Sequence, residues 1–286
     1  DLPHALASAA GNDALRAGGS AVDAAIAASA VLSVVYPHMT SVGGDAFWLV
    51  YDAAANRVRY LNGGGRAARG AGIDWFASRG MDTVPLRGVL PATLTVPGAV
   101  ASWCAAHAGY GRLPLARDLE CAIGYARDGY PLVHGVCGTI AGVAPLFRDE
   151  WKSSAALYLP NGEVPKPGEL FTNPELASTY ARILKEASAA GADRERQIEA
   201  ARAAFYKGFV AEAIEKYCTS TAVMDATGQR RKGVLKASDF AGWQATYEEP
   251  ATYEYHGLTV CKAGPWSQGP VLLQLLALLK GFDVPS

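Results

Sequence analysis

Three glycines run into an arginine at Leu61-Asn62-Gly63-Gly64-Gly65-Arg66-Ala67-Ala68, "LNGGGRAA", the stretch whose residue types most plainly permit ligand chemistry. Glycine lets a ligand approach the backbone closely, and a guanidinium offers a planar fork that matches a carboxylate bidentately. The string "GGGRAA" also satisfies G-x-G-x-x-G/A, the dinucleotide fingerprint. That fingerprint needs a strand feeding directly into a helix of a parallel unit, whereas the strand here closes a hairpin and "RGAG" breaks any helix at once. A P-loop fails more simply, because no Lys-Ser/Thr pair follows the glycines. Two readings of Arg66 stay open from the residues: a carboxylate clamp, or a solvated arginine on a glycine turn. Composition alone favours the second.

A second glycine loop, "SVGGDAF" (Ser41 to Phe47), leads into the strand before; its Gly43-Gly44 pair is expected to serve positive φ. The histidines (His4, His38, His107, His134, His256) lack HxxxH or HxH spacing, so no metal site is expected. No GxSxG elbow occurs, and no Ser, His and Asp trio follows from spacing. The residues thus offer an anion-binding arginine without a nucleophile.

Several elements must position that arginine. "ALASAAGNDALRA" is a good helix-former stopped by Gly18-Gly19, and Ser20 with Asp23 makes a capping box for a nearly all-apolar helix from Ala21 to Val35. Asp45 to Asp52 and Arg57 to Leu61 read as an antiparallel hairpin. "TVPGAVASWCAAHAGYG" leads a loop into a helix, and "LPLARDLECAIGYARDGYPL" carries a helical apolar face that Gly129 and Pro131 end. Residues 150 to 175, rich in Pro, Gly and Asn, read as a long surface connection. Helices return from Pro174 to Ala190 and from Arg194 to Cys218. "ATYEYHGLTVCKA" alternates as strands do, and Pro270 to Leu279 reads as a buried helix too short to cross a bilayer.

With 286 residues, half of them hydrophobic, the chain can bury a large core. Lys plus Arg (26) balance Asp plus Glu (27) without any block of like charge, which argues against nucleic acid or an acidic membrane as partner. Five scattered cysteines without a CxxC pair favour reduced thiols and a cytoplasmic location, with a periplasmic or secreted one as the alternative, since no signal peptide is visible but one removed before Asp1 stays open.

The segment "HALASAAGNDALRAGGSAVDAAIAASAVLSVVYPHMTSVGGDAFWLVYD" resembles the start of the large subunit of γ-glutamyltranspeptidases, where HPLAS, GGNAVDA and a GIGGGGF-like loop occur in this order. The resemblance continues through "VPGAVASW", "FYKGFVAEAI", "ASDFAGWQATYEEP" and "GPWSQGPVLLQLLALLKGFDV". It implies an α+β fold, the αββα four-layer sandwich of N-terminal-nucleophile hydrolases, with residues 1–286 forming the large-subunit portion and a small subunit completing the two sheets. It also implies a precursor that cleaves itself before a threonine, whose α-amino group then serves as base for its own hydroxyl. The nucleophile and oxyanion hole would lie on that partner in an obligate heterodimer. The cleavage site would fall several dozen residues beyond Ser286, and no cofactor is implied.

In the family the segment matching "LNGGGRAA" reads close to DGRETAP, and its arginine holds the α-carboxylate of the γ-glutamyl group. The resemblance carries that role to Arg66. Here Gly64 replaces the aspartate and Ala67 the glutamate, leaving the arginine without its sequence neighbours' charge. The "N-x-x-G-R-A" form is more similar to the acylase and amidohydrolase branch, which includes cephalosporin-acylase-like enzymes and oxamate amidohydrolases. The expected function is hydrolysis of a small carboxylate-bearing amide. The alternatives are a true γ-glutamyltranspeptidase and an inactive binding protein that keeps the fold.

Overall fold

The computed structural model describes residues 2–84, 90–225 and 227–282. Ser20 opens the second helix as expected: its Oγ accepts from Val22 N and Asp23 N, and the Asp23 carboxylate accepts from Ser20 N in return. Two orphan donors are satisfied reciprocally, so the helix starts at one residue. Helix α1 (Ala5–Arg16) and helix α2 (Ala21–Val35) form an antiparallel pair around Gly18, whose φ of 88° supplies the left-handed turn. Gly11 lets them pack closely, since a Cβ there would lie 3.1 Å from the Ala24 carbonyl oxygen.

Strands β1 (Ala46–Asp52) and β2 (Arg57–Gly63) form the expected antiparallel hairpin, and β3 (Thr246–Glu248) adds to β2 with Asn62 opposite Thr246. Strand alternation turns Ala46, Trp48 and Val50 inward and Phe47, Leu49 and Tyr51 outward. The inward face packs on helix α3 (Ala99–Tyr110), where Trp48 Nε1 donates to Ser102 Oγ at 3.0 Å. On the outward face Phe47, Leu49 and Tyr51 are exposed, whereas Tyr60, opposite Leu49, is buried.

Behind α3 and α2 lie α4 (Leu115–Asp128), α5 (His134–Asp149), α6 (Pro174–Ala189) and α7 (Arg194–Tyr206), followed by α8 (Phe209–Ser220). Buried hydroxyls stitch this layer: Ser33 Oγ and Tyr180 Oη are 2.7 Å apart, and Tyr130 Oη donates to Val34 O. α5 forms despite three internal glycines and Pro145, because Val136, Cys137, Ile140 and Ala144 bury one face and packing overrides propensity.

Three expectations are corrected. The segment expected as one helix from Arg194 to Cys218 breaks at Lys207-Gly208, where Gly208 has φ −120° and ψ −148°. Residues 150 to 175 are more than a surface connection: they contain the helix Lys152–Tyr158, and Leu159 and Phe171 are buried. Tyr158 and Phe171 stack at 5.8 Å, and Phe171 meets the Tyr130 ring edge-on.

The third concerns the last helix, α10 (Gly269–Leu279), which packs on the hairpin of β4 (Ala251–Tyr255) and β5 (Leu258–Lys262). Only Gly269 and Leu273 are buried, while Leu275 is 49% and Leu278 71% exposed. Its all-round apolar sequence leads to an expectation of burial that the described residues of this chain meet on one side only. No helix among the described residues is long and apolar enough to cross a membrane. The end of the last resembling stretch, at residues 283–284, lies outside the described residues.

Candidate functional site

The glycine triplet is a crowded seam, not a flexible turn. A Cβ on Gly63 would sit 2.4 Å from the Ala46 carbonyl oxygen, and one on Gly65 only 1.6 Å from that of Val96. None of the three has positive φ, so close backbone approach is what requires glycine. The loop at Gly43-Gly44, expected to use positive φ, does not use it either. Instead the Gly44 carbonyl oxygen accepts from both Gly98 N and Ala99 N at 2.9 Å, anchoring that loop to the start of α3. Tyr206 holds the same region from behind, donating to Pro97 O and accepting from Ala101 N.

Hydrogen bonds fix the segment on both sides. Gly64 N donates to Asn62 Oδ1 at 2.9 Å and Gly65 N to Asp45 Oδ1 at 2.8 Å. Val96 N donates to Arg66 O, Ala67 pairs with Thr95, and Arg69 N donates to Asp239 Oδ1 at 3.2 Å. Backbone restraint on either flank leaves the Arg66 side chain exposed at the edge of a cavity of about 380 Å³. Its other lining includes Asp45, Asn62, Trp243, Glu248 and Trp266. Arg66 has no ion pair among the described residues.

The arginine stripped of its sequence neighbours is therefore not without carboxylates nearby. The hairpin returns Asp45, and β3 returns Glu248, whose Oε1 accepts from Asn62 Nδ2 and Thr246 Oγ1, each at 3.0 Å. One cation and two carboxylates face one cavity without being spent on each other. Such a set can hold a ligand carboxylate and has acceptors left for a donor or a cationic amine.

The hairpin register makes Asp45 legible in the sequence: with Asp52 opposite Arg57, residue 45 falls opposite 64. Glu248 and Trp243 carry no such signal, since their approach depends on a strand pairing across almost two hundred residues.

A second cluster lies buried between α2, α3 and α4. Asp23, His107 and Asp118 are fully buried, with one potential ligand atom of each within 4.8 Å of the others. Asp23 and His107 have hydrogen-bond partners outside the cluster, whereas the Asp118 oxygens accept no hydrogen bond, Oδ2 lying 3.3 Å from His107 Nε2. His107 Nε2 lies 2.9 Å from the Leu113 carbonyl oxygen, so it carries the proton and is no ligand. Burial alone would raise the Asp23 pKa, but the N–H groups of Ser20, Arg112 and Leu113 hold it below the ordinary carboxylate range. Burial pushes Asp118 upward. Arg194 closes the cluster with bonds from Nη2 to His107 O and Gly111 O. This network tethers helices. Cys104 is equally remote from chemistry, its thiol pushed by burial to about 12.

Residues 7–286 match the Gamma-glutamyltranspeptidase family. The chain belongs to the γ-glutamyltranspeptidase family. Among curated γ-glutamyltranspeptidase relatives it is 36% identical over 282 residues to the glutathione hydrolase-like YwrD proenzyme of Bacillus subtilis, covering 98% of this chain and 48% of that one. It is 33% identical to the oxamate amidohydrolase proenzyme of Klebsiella pneumoniae, covering 96% of this chain and 48% of that protein.

Among solved structures, LmbA2991HD superposes with TM-score 0.92 at 47% identity over 99% of this chain and 48% of its own. The γ-glutamyltranspeptidase of Helicobacter pylori gives 0.83 at 26% identity, over 99% of this chain and 74% of its own. The α+β fold is thus that of the γ-glutamyltranspeptidases, and the chain spans about half the length of the curated relatives it matches.

Proposed function

We propose that the protein is a self-processing amide hydrolase whose described chain is the large-subunit portion, and that Arg66 anchors a carboxylate of a small substrate beside the scissile amide. The observation that carries this reading is an exposed guanidinium without an ion pair among the described residues, set at a cavity edge by a segment restrained on both flanks. A solvated surface arginine would need none of that restraint, so the clamp reading gains over it.

In this reading a small subunit from the same precursor completes an αββα sandwich and contributes its N-terminal threonine. Proenzyme names among the relatives support such processing, and coverage of half their length supports a second portion. The bare apolar residues of β1 and α10 give that portion a surface to cover. The threonine oxygen attacks the amide carbon while its α-amine takes the hydroxyl proton. Collapse breaks the C–N bond, and the departing nitrogen receives that proton. Water then hydrolyses the ester and restores the hydroxyl. The chain's own task is to bind and orient the carboxylate.

Loss of the Asp and Glu beside the family's arginine favours an oxamate-type amidohydrolase or an acylase. A γ-glutamyl substrate is the second reading, favoured by one observation: Asp45 and Glu248 face the cavity and could meet an α-ammonium. Five free cysteines support a cytoplasmic location.

A panel of oxamate, a glutaryl-cephalosporin, glutathione and γ-glutamyl-p-nitroanilide, the last with and without glycylglycine, tests the reading. Hydrolysis of oxamate or the glutaryl amide is expected. Acceptor-stimulated turnover of the anilide would establish the second reading, and no turnover of any member would sink both.

A further inference from the structure

Arg66 sits on the wall between two cavities. The second, about 300 Å³, is lined by Arg66, Arg69, Asp239, Trp243, Gln244 and Thr246 among others. Two guanidiniums therefore face one space, and neither has an ion pair among the described residues. The Arg69 backbone is fixed, its N–H donating to Asp239 Oδ1 and the next turn closing through Ala71 N to Ala68 O, while its side chain is exposed. Its Nη2 lies beside Gly242, where a Cβ would come within 3.4 Å of it.

The single carboxylate lining this cavity among the described residues, Asp239, is nearly buried and already engaged. Oδ1 accepts from Arg69 N and Oδ2 from Lys236 N at 3.0 Å, so amide dipoles take up its oxygens. The charge balance shifts across Arg66: two carboxylates with one arginine on one side, two arginines with one engaged carboxylate on the other. Like charges sharing a cavity repel, and a bound anion with two negative groups relieves that repulsion better than one with a single group.

We propose that Arg69 forms a second anion subsite next to Arg66, so that a dianionic substrate such as a dicarboxylate amide is preferred over a monoanion such as oxamate. This inference rests on the reading of Arg66 as a carboxylate anchor. It makes Arg69 a specificity-determining residue, which selects substrates by their second negative group.

The test measures binding by calorimetry at fixed ionic strength, using protein expressed from its complete coding sequence. Succinate and glutarate are compared with propionate and butyrate. The unaltered protein is expected to prefer each dicarboxylate over its monocarboxylate partner by about tenfold or more, the scale of one added charged contact. Arg69→Ala and Arg69→Gln should bring that ratio close to one, and Arg69→Lys should restore part of it. Melting temperatures identify any variant that fails to fold, and the Gln and Lys variants then decide. A preference that is absent in the unaltered protein, or that survives both neutral substitutions, overturns the inference. Arg66→Ala separates the two claims: if it weakens both ligand classes while the Arg69 variants change nothing, the anchor stands and the second subsite falls. If Arg66→Ala changes neither class, the anchor itself falls.

Discussion

Asp45 Oδ1 accepts a hydrogen bond from Gly65 N at 2.8 Å, joining the loop before β1 to the residue that precedes Arg66. The bond closes the open end of the β1–β2 hairpin. It also places a carboxylate on the wall of the cavity that Arg66 edges, so one side chain both shapes the loop and sets the local charge.

Those two roles separate in Asp45→Asn, which keeps an oxygen acceptor for Gly65 N and loses the charge. If the second reading holds and an ammonium binds here, this variant lowers the ratio of kcat/KM for a γ-glutamyl amide over the same amide without its α-amine by about tenfold. Steady-state kinetics on the two amides check it. An unchanged ratio would remove Asp45 as an ammonium partner.

Gly65→Ala should destabilise by about 1 to 3 kcal/mol, the cost of forcing atoms into a filled site. A new Cβ would stand 1.6 Å from the Val96 carbonyl oxygen, so backbone must move. Gly72→Ala is the matched control, because a Cβ there meets nothing within 4 Å. Thermal melts of both variants measure the difference, with Gly72→Ala expected within about 0.5 kcal/mol of the parent.

Most of the helical layer was legible, because Ser20, Asp23, Gly18 and Gly129 punctuate helices through local chemistry. The hairpin was legible too, and with it the position of Arg66. What stayed hidden depends on contacts distant in sequence. Glu248 reaches Asn62 only through strand pairing, and the Arg69 backbone meets its acceptor Asp239 on α9 (Ala237–Ala241) across 170 residues of sequence. The glycines misled in one respect. Gly43-Gly44 suggested a positive φ that it does not use, and the triplet that suggested a turn open to ligand is crowded at Gly63 and Gly65 by backbone. Helix α10 misled in another, since an apolar sequence does not say how much of it the chain's own residues bury.

Asp118→Asn should stabilise the protein at neutral pH. Burial raises the Asp118 pKa above its unfolded value, so the folded state favours the protonated acid. Stability from that group is complete below the unfolded value, about pH 4, and is lost as pH rises through the folded one. Asparagine imitates the neutral acid and escapes that loss. Urea denaturation from pH 4 to pH 8 should show the variant's advantage growing with pH and vanishing at the acid end. An advantage independent of pH would contradict the assignment.

The central claim is that Arg66 anchors a substrate carboxylate. Its most direct measurement is kcat/KM for the best substrate of the panel, compared between the parent, Arg66→Ala and Arg66→Lys, with melting temperature as a check on folding. Loss of a charged hydrogen bond of about 1.5 to 3 kcal/mol predicts a fall of roughly 10- to 150-fold in Arg66→Ala. Lysine, which keeps the charge but not the planar fork, should recover only part of it. An Arg66→Ala protein that melts like the parent and retains its kcat/KM would contradict the account.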